Sequence, residues 1–239
     1  MSTVALIGTH APSGIKEKLS DLGFEIFSLK PDERLPLPIR SHADTLLSVV
    51  ENKVFLSKEY ADSCEPLTSL LASRGYDVVK CECEVGCEYP ADISFNVATV
   101  GKYAFGRFDF VAQELKHELV DRGYTLIDVK QGYAKCSTAI INDNAIITAD
   151  SGIAQKAAAL GIDVLKISAA EGVIELDGYG YGFIGGACAL FENTLYSCGN
   201  IEIHPDFESI KTFCDAHGVS LCSLTDGKLY DVGGILFIK

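Results

Sequence analysis

Cys136 lies between Lys135 and Ser137, so a cationic neighbour adjoins a thiol. A nearby ammonium favours the thiolate, which is the nucleophilic form. His42-Ala43-Asp44 brings an imidazole and a carboxylate two residues apart, with Arg40 just ahead of them. Such a set can attack an electrophilic carbon, move protons and hold charged groups of a substrate. Cys136, His42 and Asp44 are therefore the candidate catalytic residues, with His42 as acid/base. Arg40 (for an anionic group), Asn96, Lys135, Gly185 and Asp231 are the candidates for ligand binding. The competing reading of Cys136 is a small buried hydrophobe, as free cysteines usually are.

Other clusters carry less. Cys81-Glu82-Cys83 with Cys87 suggests a metal clip, but this is not a common zinc spacing and no fourth ligand lies near, so no metal is expected. His204-Pro205-Asp206 reads as a helix start with Pro205 at the first helical position. The run holding Gly178, Gly180, Gly182, Gly185 and Gly186 lacks the strand-to-helix transition of a phosphate-binding loop. Gly185-Gly186 reads as a place of close backbone approach. No cofactor is expected.

The elements that must position these residues repeat along the chain. In Tyr133 to Ser168, Ala139-Ile140-Ile141 and Ala145 to Thr148 flank the turn cluster Asn142-Asp143-Asn144, which predicts a hairpin. Asp150 or Ser151 can cap a helix running to Leu160, Gly161 stops it, and a strand over 162–167 follows. The same helix-Gly-strand ending recurs at Gly23, Gly75, Gly123 and Gly218. Hairpins precede the endings at Gly75 and Gly218, over 48–56 and 189–196. Before Gly123, Ile93 to Val100 fits a first strand, but Gly101 to Arg107 reads poorly as its partner. The first ending has only Val4-Ala5-Leu6-Ile7 before its helix, and the missing strand stands at the other end as Gly234 to Ile238. One ββαβ unit is thus split between the termini, as suits a closed ring without exposed edges. Aligned hairpins put 40–44, 95–96, 134–136, 183–185 and 230–232 at the mouth of a central channel. No linker divides the chain, so a single domain over 1–239 is expected.

The 239 residues, 48% hydrophobic and 22% charged, describe an ordinary globular chain. No apolar run approaches the ~20 residues that span a bilayer, and the start lacks a signal-peptide pattern. Nine cysteines then read as reduced thiols, giving a cytoplasmic expectation and no membrane partner. A net charge of −13 disfavours nucleic acid as the main partner. The oligomeric state is left open.

Five such units resemble the pentein fold, a five-bladed α/β propeller of the guanidino-group-modifying enzymes. Tyr89-Pro90-Ala91-Asp92-Ile93, Lys135-Cys136-Ser137, Tyr181 to Gly186 and His204-Pro205-Asp206 look closest to a bacterial family of uncharacterised function grouped with them. The resemblance implies a cysteine nucleophile in the last unit, a His-x-Asp motif and a carboxylate in a Glu-Gly-Gly-Asp string. Here Phe237 stands at the cysteine position and Ile184-Gly185-Gly186-Ala187 at the carboxylate string, while His42-Ala43-Asp44 keeps the His-x-Asp pattern in an earlier unit. The expected function is binding or processing of a small guanidino or amino-acid-like ligand in the channel. Cys136 would then serve a hydrolase or transferase acting on C–N bonds. The alternative is a non-catalytic interaction protein, like the ribosome anti-association factor of the same fold.

Overall fold

The computed structural model describes residues 2–169 and 172–239. It is a mixed α/β fold with five three-stranded sheets and one two-stranded ladder among the described residues. Each three-stranded sheet joins an antiparallel pair to a parallel third strand across a helical crossover. Thr138–Asn142, Ala145–Thr148 and Asp163–Lys166 form one, with helix Ser151–Ala159 as the crossover. Asp150 caps that helix by accepting from the Ile153 amide. In the same way Lys53–Ser57 stands between antiparallel Leu47–Val50 and parallel Asp77–Cys81, and Thr194–Ser197 between antiparallel Cys188–Phe191 and parallel Ser220–Ser223. The terminal strand Leu236–Ile238 runs antiparallel to Val4–Gly8, which is parallel to Glu25–Leu29, so the split unit is assembled from both ends.

One hairpin departs from the sequence reading. Ala98–Val100 pairs antiparallel with Tyr103–Gly106, and Thr125–Asp128 completes the sheet. The region after Gly101 is therefore a full partner, and the stretch 93–97 lies outside the strand, which begins at Ala98. The first strand is only three residues long, and Gly101 adopts φ +53° in a two-residue turn with Lys102, which leaves too short an alternation to read.

Glycines 23, 75, 123, 161 and 218 all have φ between +69° and +91°, with open space where a Cβ would stand. They end their helices because an L side chain is strained there. The helices face inward through apolar residues four apart. Leu115 and Leu119 of Gln113–Asp121 are fully buried, worth roughly 1.5–3 kcal/mol each. Helix Phe207–Ala216 starts later than expected: Asp206 is its N-cap and Pro205 lies outside it.

Five apolar clusters join these sheets in succession. Leu29 and Leu47, Phe55 and Ala104, Phe105 and Ile146, and Ile147 and Leu195 share clusters between successive sheets, and Ile7 and Ala189 share the one that joins the last sheet to the first. The two-stranded ladder, Ile174–Glu175 with Leu229–Tyr230, holds the glycine-rich segment near the site described below. Among the described residues no helix is long and apolar enough to cross a membrane.

Candidate functional site

A buried turn precedes each hairpin or terminal strand, and these five turns are tied to one another by hydrogen bonds. The Asn96 side chain donates to the Asp44 carbonyl at 3.1 Å and accepts from the amides of Lys135 (2.7 Å) and Cys136 (3.3 Å). The Gly186 amide donates to the Cys136 carbonyl, those of Val232 and Gly234 donate to the Gly186 carbonyl, and that of Asp44 donates to the Gly233 carbonyl. Side chains borne on these turns are thereby fixed against a common centre. Close approach is enforced by glycine: a Cβ on Gly186 would stand 1.9 Å from Asp231 Oδ1, and one on Gly233 would stand 2.2 Å from His42 Cβ.

Four titratable side chains meet there. Cys136 Sγ lies 2.6 Å from Asp44 Oδ2 and 3.8 Å from the Asn96 side-chain nitrogen. His42, Cys136 and Asp231 each place one ligating atom within 4.8 Å of the others. Asp231 Oδ2 accepts from the Phe183 amide (2.8 Å) and Oδ1 from the Gly233 amide (3.0 Å). His42 Nδ1 lies 3.8 Å from Asp231 Oδ1, too far for a hydrogen bond, and is buried without a partner among the described residues. All four residues are at most 5% exposed.

Burial penalises charge, and this sets the protonation pattern. It pushes Asp44 up to about 7, with the neighbouring Asp231 adding to the rise. Asp231 is raised to about 6 by burial, partly offset by its two amide donors. The His42 imidazole is lowered to about 3 by burial and by His10, so it is neutral at pH 7. The Cys136 thiol is pushed well above its usual value by burial and by both carboxylates. This corrects the expectation that Lys135 would favour the thiolate: the two carboxylates and the buried setting outweigh it, and adjacent residues of a tight turn point different ways.

Two cavities open on this centre. One, of about 180 Å³, is lined by His42, Tyr133, Cys136, Tyr179, Phe183 and Asp231 among others. Beside it a wider hollow of about 530 Å³ also reaches His42 and Asp231 and is bordered by His10 and Glu175. Lys135 and Asp44 line a separate cavity of about 130 Å³ instead. Arg40 lines none of the three, and its guanidinium is paired with Glu33. Gly185 is a packing position: a Cβ there would stand 2.4 Å from the carbonyl oxygens of Lys135 and Thr138. The structure thus brings together Cys136, His42, Asp44, Asn96 and Asp231, and sets Arg40 and Gly185 apart from the cavities.

Of the aromatic wall, only Phe183 follows from the sequence as a residue of the channel mouth; Tyr133, Tyr179 and Tyr181 join it in the structure. Tyr133 and Phe183 have ring centroids 6.3 Å apart, and Tyr181 and Phe183 meet edge-on at 5.6 Å. The Tyr133 hydroxyl donates to Asp92, a buried carboxylate whose other oxygen has no partner among the described residues. The only sequence signal was the spacing of Tyr179 and Tyr181 among glycines. All nine cysteines are free thiols, and Phe237 packs against Phe24, Phe191 and Tyr196.

This architecture is the pentein fold, known from solved guanidino-modifying enzymes. Dimethylarginine dimethylaminohydrolase (DDAH) from Pseudomonas aeruginosa, complexed with citrulline, is similar with TM-score 0.58 and 11% identity. The match covers 98% of this chain and 95% of that one. An amidinotransferase of saxitoxin biosynthesis from Microseira wollei gives TM-score 0.60 at 10% identity, covering 96% of this chain and 80% of that one. The inosamine-phosphate amidinotransferase of Streptomyces griseus gives 0.59 at 9%, covering 96% and 81%. No curated protein matches the chain by sequence. The chain belongs to the family described as "Family of unknown function (DUF6873)", whose model matches residues 6–236.

Proposed function

We propose that the chain binds a small cationic ligand, of guanidino or amino-acid-like type, at the axis of a five-bladed ring and acts on it through the Cys136 thiol. The observation that carries this reading is the 2.6 Å approach of Cys136 Sγ to Asp44 Oδ2, with His42 and Asp231 beside it. The ring is supported by the five sheets, by clusters that link the last sheet to the first, and by the hydrogen bonds between the five turns. A cation is favoured because two buried carboxylates face the centre, and the cavity wall is aromatic. The guanidino class is favoured by the named activities of the similar structures. With Phe237 at the position where the resemblance implies a nucleophile, thiol chemistry falls to Cys136.

In this mechanism the ligand's positive charge offsets the repulsion that keeps the thiol protonated. Asp44, with its pKa near neutrality, takes the S–H proton as general base. The sulfur then bonds to the planar carbon of the bound cation, whose positive charge is neutralised as the tetrahedral adduct forms. A C–N bond breaks as the leaving nitrogen takes a proton from Asp44, and water or an amine later displaces the sulfur. Asp231 holds the cation, and neutral His42 guides protons at the leaving group.

Calorimetric titration with arginine and agmatine tests the binding step. The expected result is measurable affinity, weakened at least ~10-fold by Asp231→Asn, the loss of one charged contact at about 1.4 kcal/mol per decade, and retained in Cys136→Ser. Absence of binding by both probes, or equal affinity in Asp231→Asn, overturns the reading.

A further inference from the structure

We propose that His42, Cys136 and Asp231 form a three-ligand site for Zn²⁺, with the fourth coordination position facing the aromatic cavity. One ligand atom from each already lies within 4.8 Å of the other two, and His42 Nδ1 is 3.8 Å from Asp231 Oδ1. A tetrahedral zinc with bonds of about 2.0–2.3 Å spaces its donors roughly 3.3–3.7 Å apart, so side-chain movements of about 1 Å close the site. His42 Nδ1 independently points to a ligand, because it is a buried nitrogen with no hydrogen-bond partner among the described residues, on a side chain only 6% exposed.

The donor set selects the metal. Sulfur with imidazole nitrogen favours zinc over magnesium or calcium, which take oxygen ligands. Three protein donors with an open position is the pattern of reactive rather than structural zinc sites. Outer contacts orient the ligands: the Phe183 and Gly233 amides hold Asp231, and the Asn96 side-chain nitrogen faces Cys136 Sγ as a donor that a metal-bound thiolate keeps. Such contacts are a regular part of metal sites. Each of the three ligands also lines the 180 Å³ cavity, which gives the ion an entry path.

Zinc held here would occupy the thiol and Asp231, so the metal-loaded chain is the form in which Cys136 neither attacks a bound cation nor is alkylated. The inference goes beyond the proposed ligand and does not depend on it, since metal uptake is measured with no guanidino compound present. The experiment uses the full chain after chelator treatment, titrated with Zn²⁺ in competition with a chromophoric chelator and in parallel with Co²⁺. The expected result is one ion per chain, a thiolate-to-cobalt charge-transfer band, and at least ~100-fold weaker uptake with no band in Cys136→Ala. His42→Ala, which keeps the thiol, should weaken uptake while thermal unfolding confirms that it folds. A wild type without stoichiometric uptake overturns the inference. So does a band that persists in Cys136→Ala, which would place the metal on other cysteines such as Cys83 and Cys87.

Discussion

Cys136 and Asp44 stand 92 residues apart in the chain, yet their side chains meet at 2.6 Å across the buried centre. No single unit of the repeat could make this contact, since each residue comes from a different turn. The pairing depends on what holds those turns together, and that is largely Asn96. Its amide satisfies the Asp44 carbonyl and the amides of Lys135 and Cys136 in a position with no solvent exposure.

Asn96→Ala would leave one carbonyl and two amides buried without partners. At roughly 1–3 kcal/mol for each unsatisfied group, a loss of at least ~3 kcal/mol is expected, read as the change in denaturation midpoint at unchanged m-value. A loss under ~1 kcal/mol would show that the three groups find other partners and that Asn96 does not tie the turns together.

Two glycine substitutions should act in opposite directions. Gly186→Ala places a methyl 1.9 Å from Asp231 Oδ1, so it should cost roughly 1–3 kcal/mol and weaken ligand binding by displacing that carboxylate. Gly14→Ala, at a half-buried position in the first turn of helix Ser13–Asp21, meets only Thr225 at 3.5 Å and should stabilise by up to ~1 kcal/mol. Thermal unfolding of the two variants separates local crowding from a general intolerance of alanine.

His204 should make the fold acid-sensitive. Its Nδ1 accepts the Asp206 amide, and burial lowers its pKa below the usual histidine value. The folded state therefore keeps it neutral, while the unfolded chain takes up a proton as pH falls through about 6.5. The unfolded state binds more protons there, so this contribution is present above about 6.5 and is lost as pH falls toward the folded value. Between pH 7 and 5, His204→Asn should lose less melting temperature than the wild type. An equal or larger loss would contradict this assignment.

Much of the fold was legible because helix stops need positive φ, and Gly23, Gly75, Gly123, Gly161 and Gly218 all have it. The same logic located the split unit, since Val4–Gly8 lacked a partner that Leu236–Ile238 supplies. The third hairpin was not legible, because three residues before Gly101 carry too little alternation. In the site, Cys136, His42, Asp44, Asn96 and Asp231 followed from aligning the turns. Lys135 and Arg40 did not behave as read, because sequence places a residue on a turn without fixing where its side chain points. Lys135 lines another cavity, and Arg40 pairs with Glu33. Aligned turns placed Phe183 at the mouth, but nothing in the sequence foretold that Tyr133 and Tyr179 line the same cavity, since they come from connections outside the aligned turns.

The most direct test of a cation-activated thiol compares, on chelator-treated protein, two alkylating agents of similar size, cationic 2-chloroacetamidine and neutral 2-chloroacetamide, by mass-spectrometric mapping of all nine cysteines. Exposed Cys87 provides the internal reference for intrinsic reagent reactivity. The expected result is a cationic-to-neutral rate ratio at Cys136 at least ~10-fold above that at Cys87, reduced by ~10²-fold or more in the cationic rate when Asp44→Asn removes the proton acceptor. Equal ratios at Cys136 and Cys87, or a cationic rate unchanged by Asp44→Asn, would contradict the proposed role of this centre.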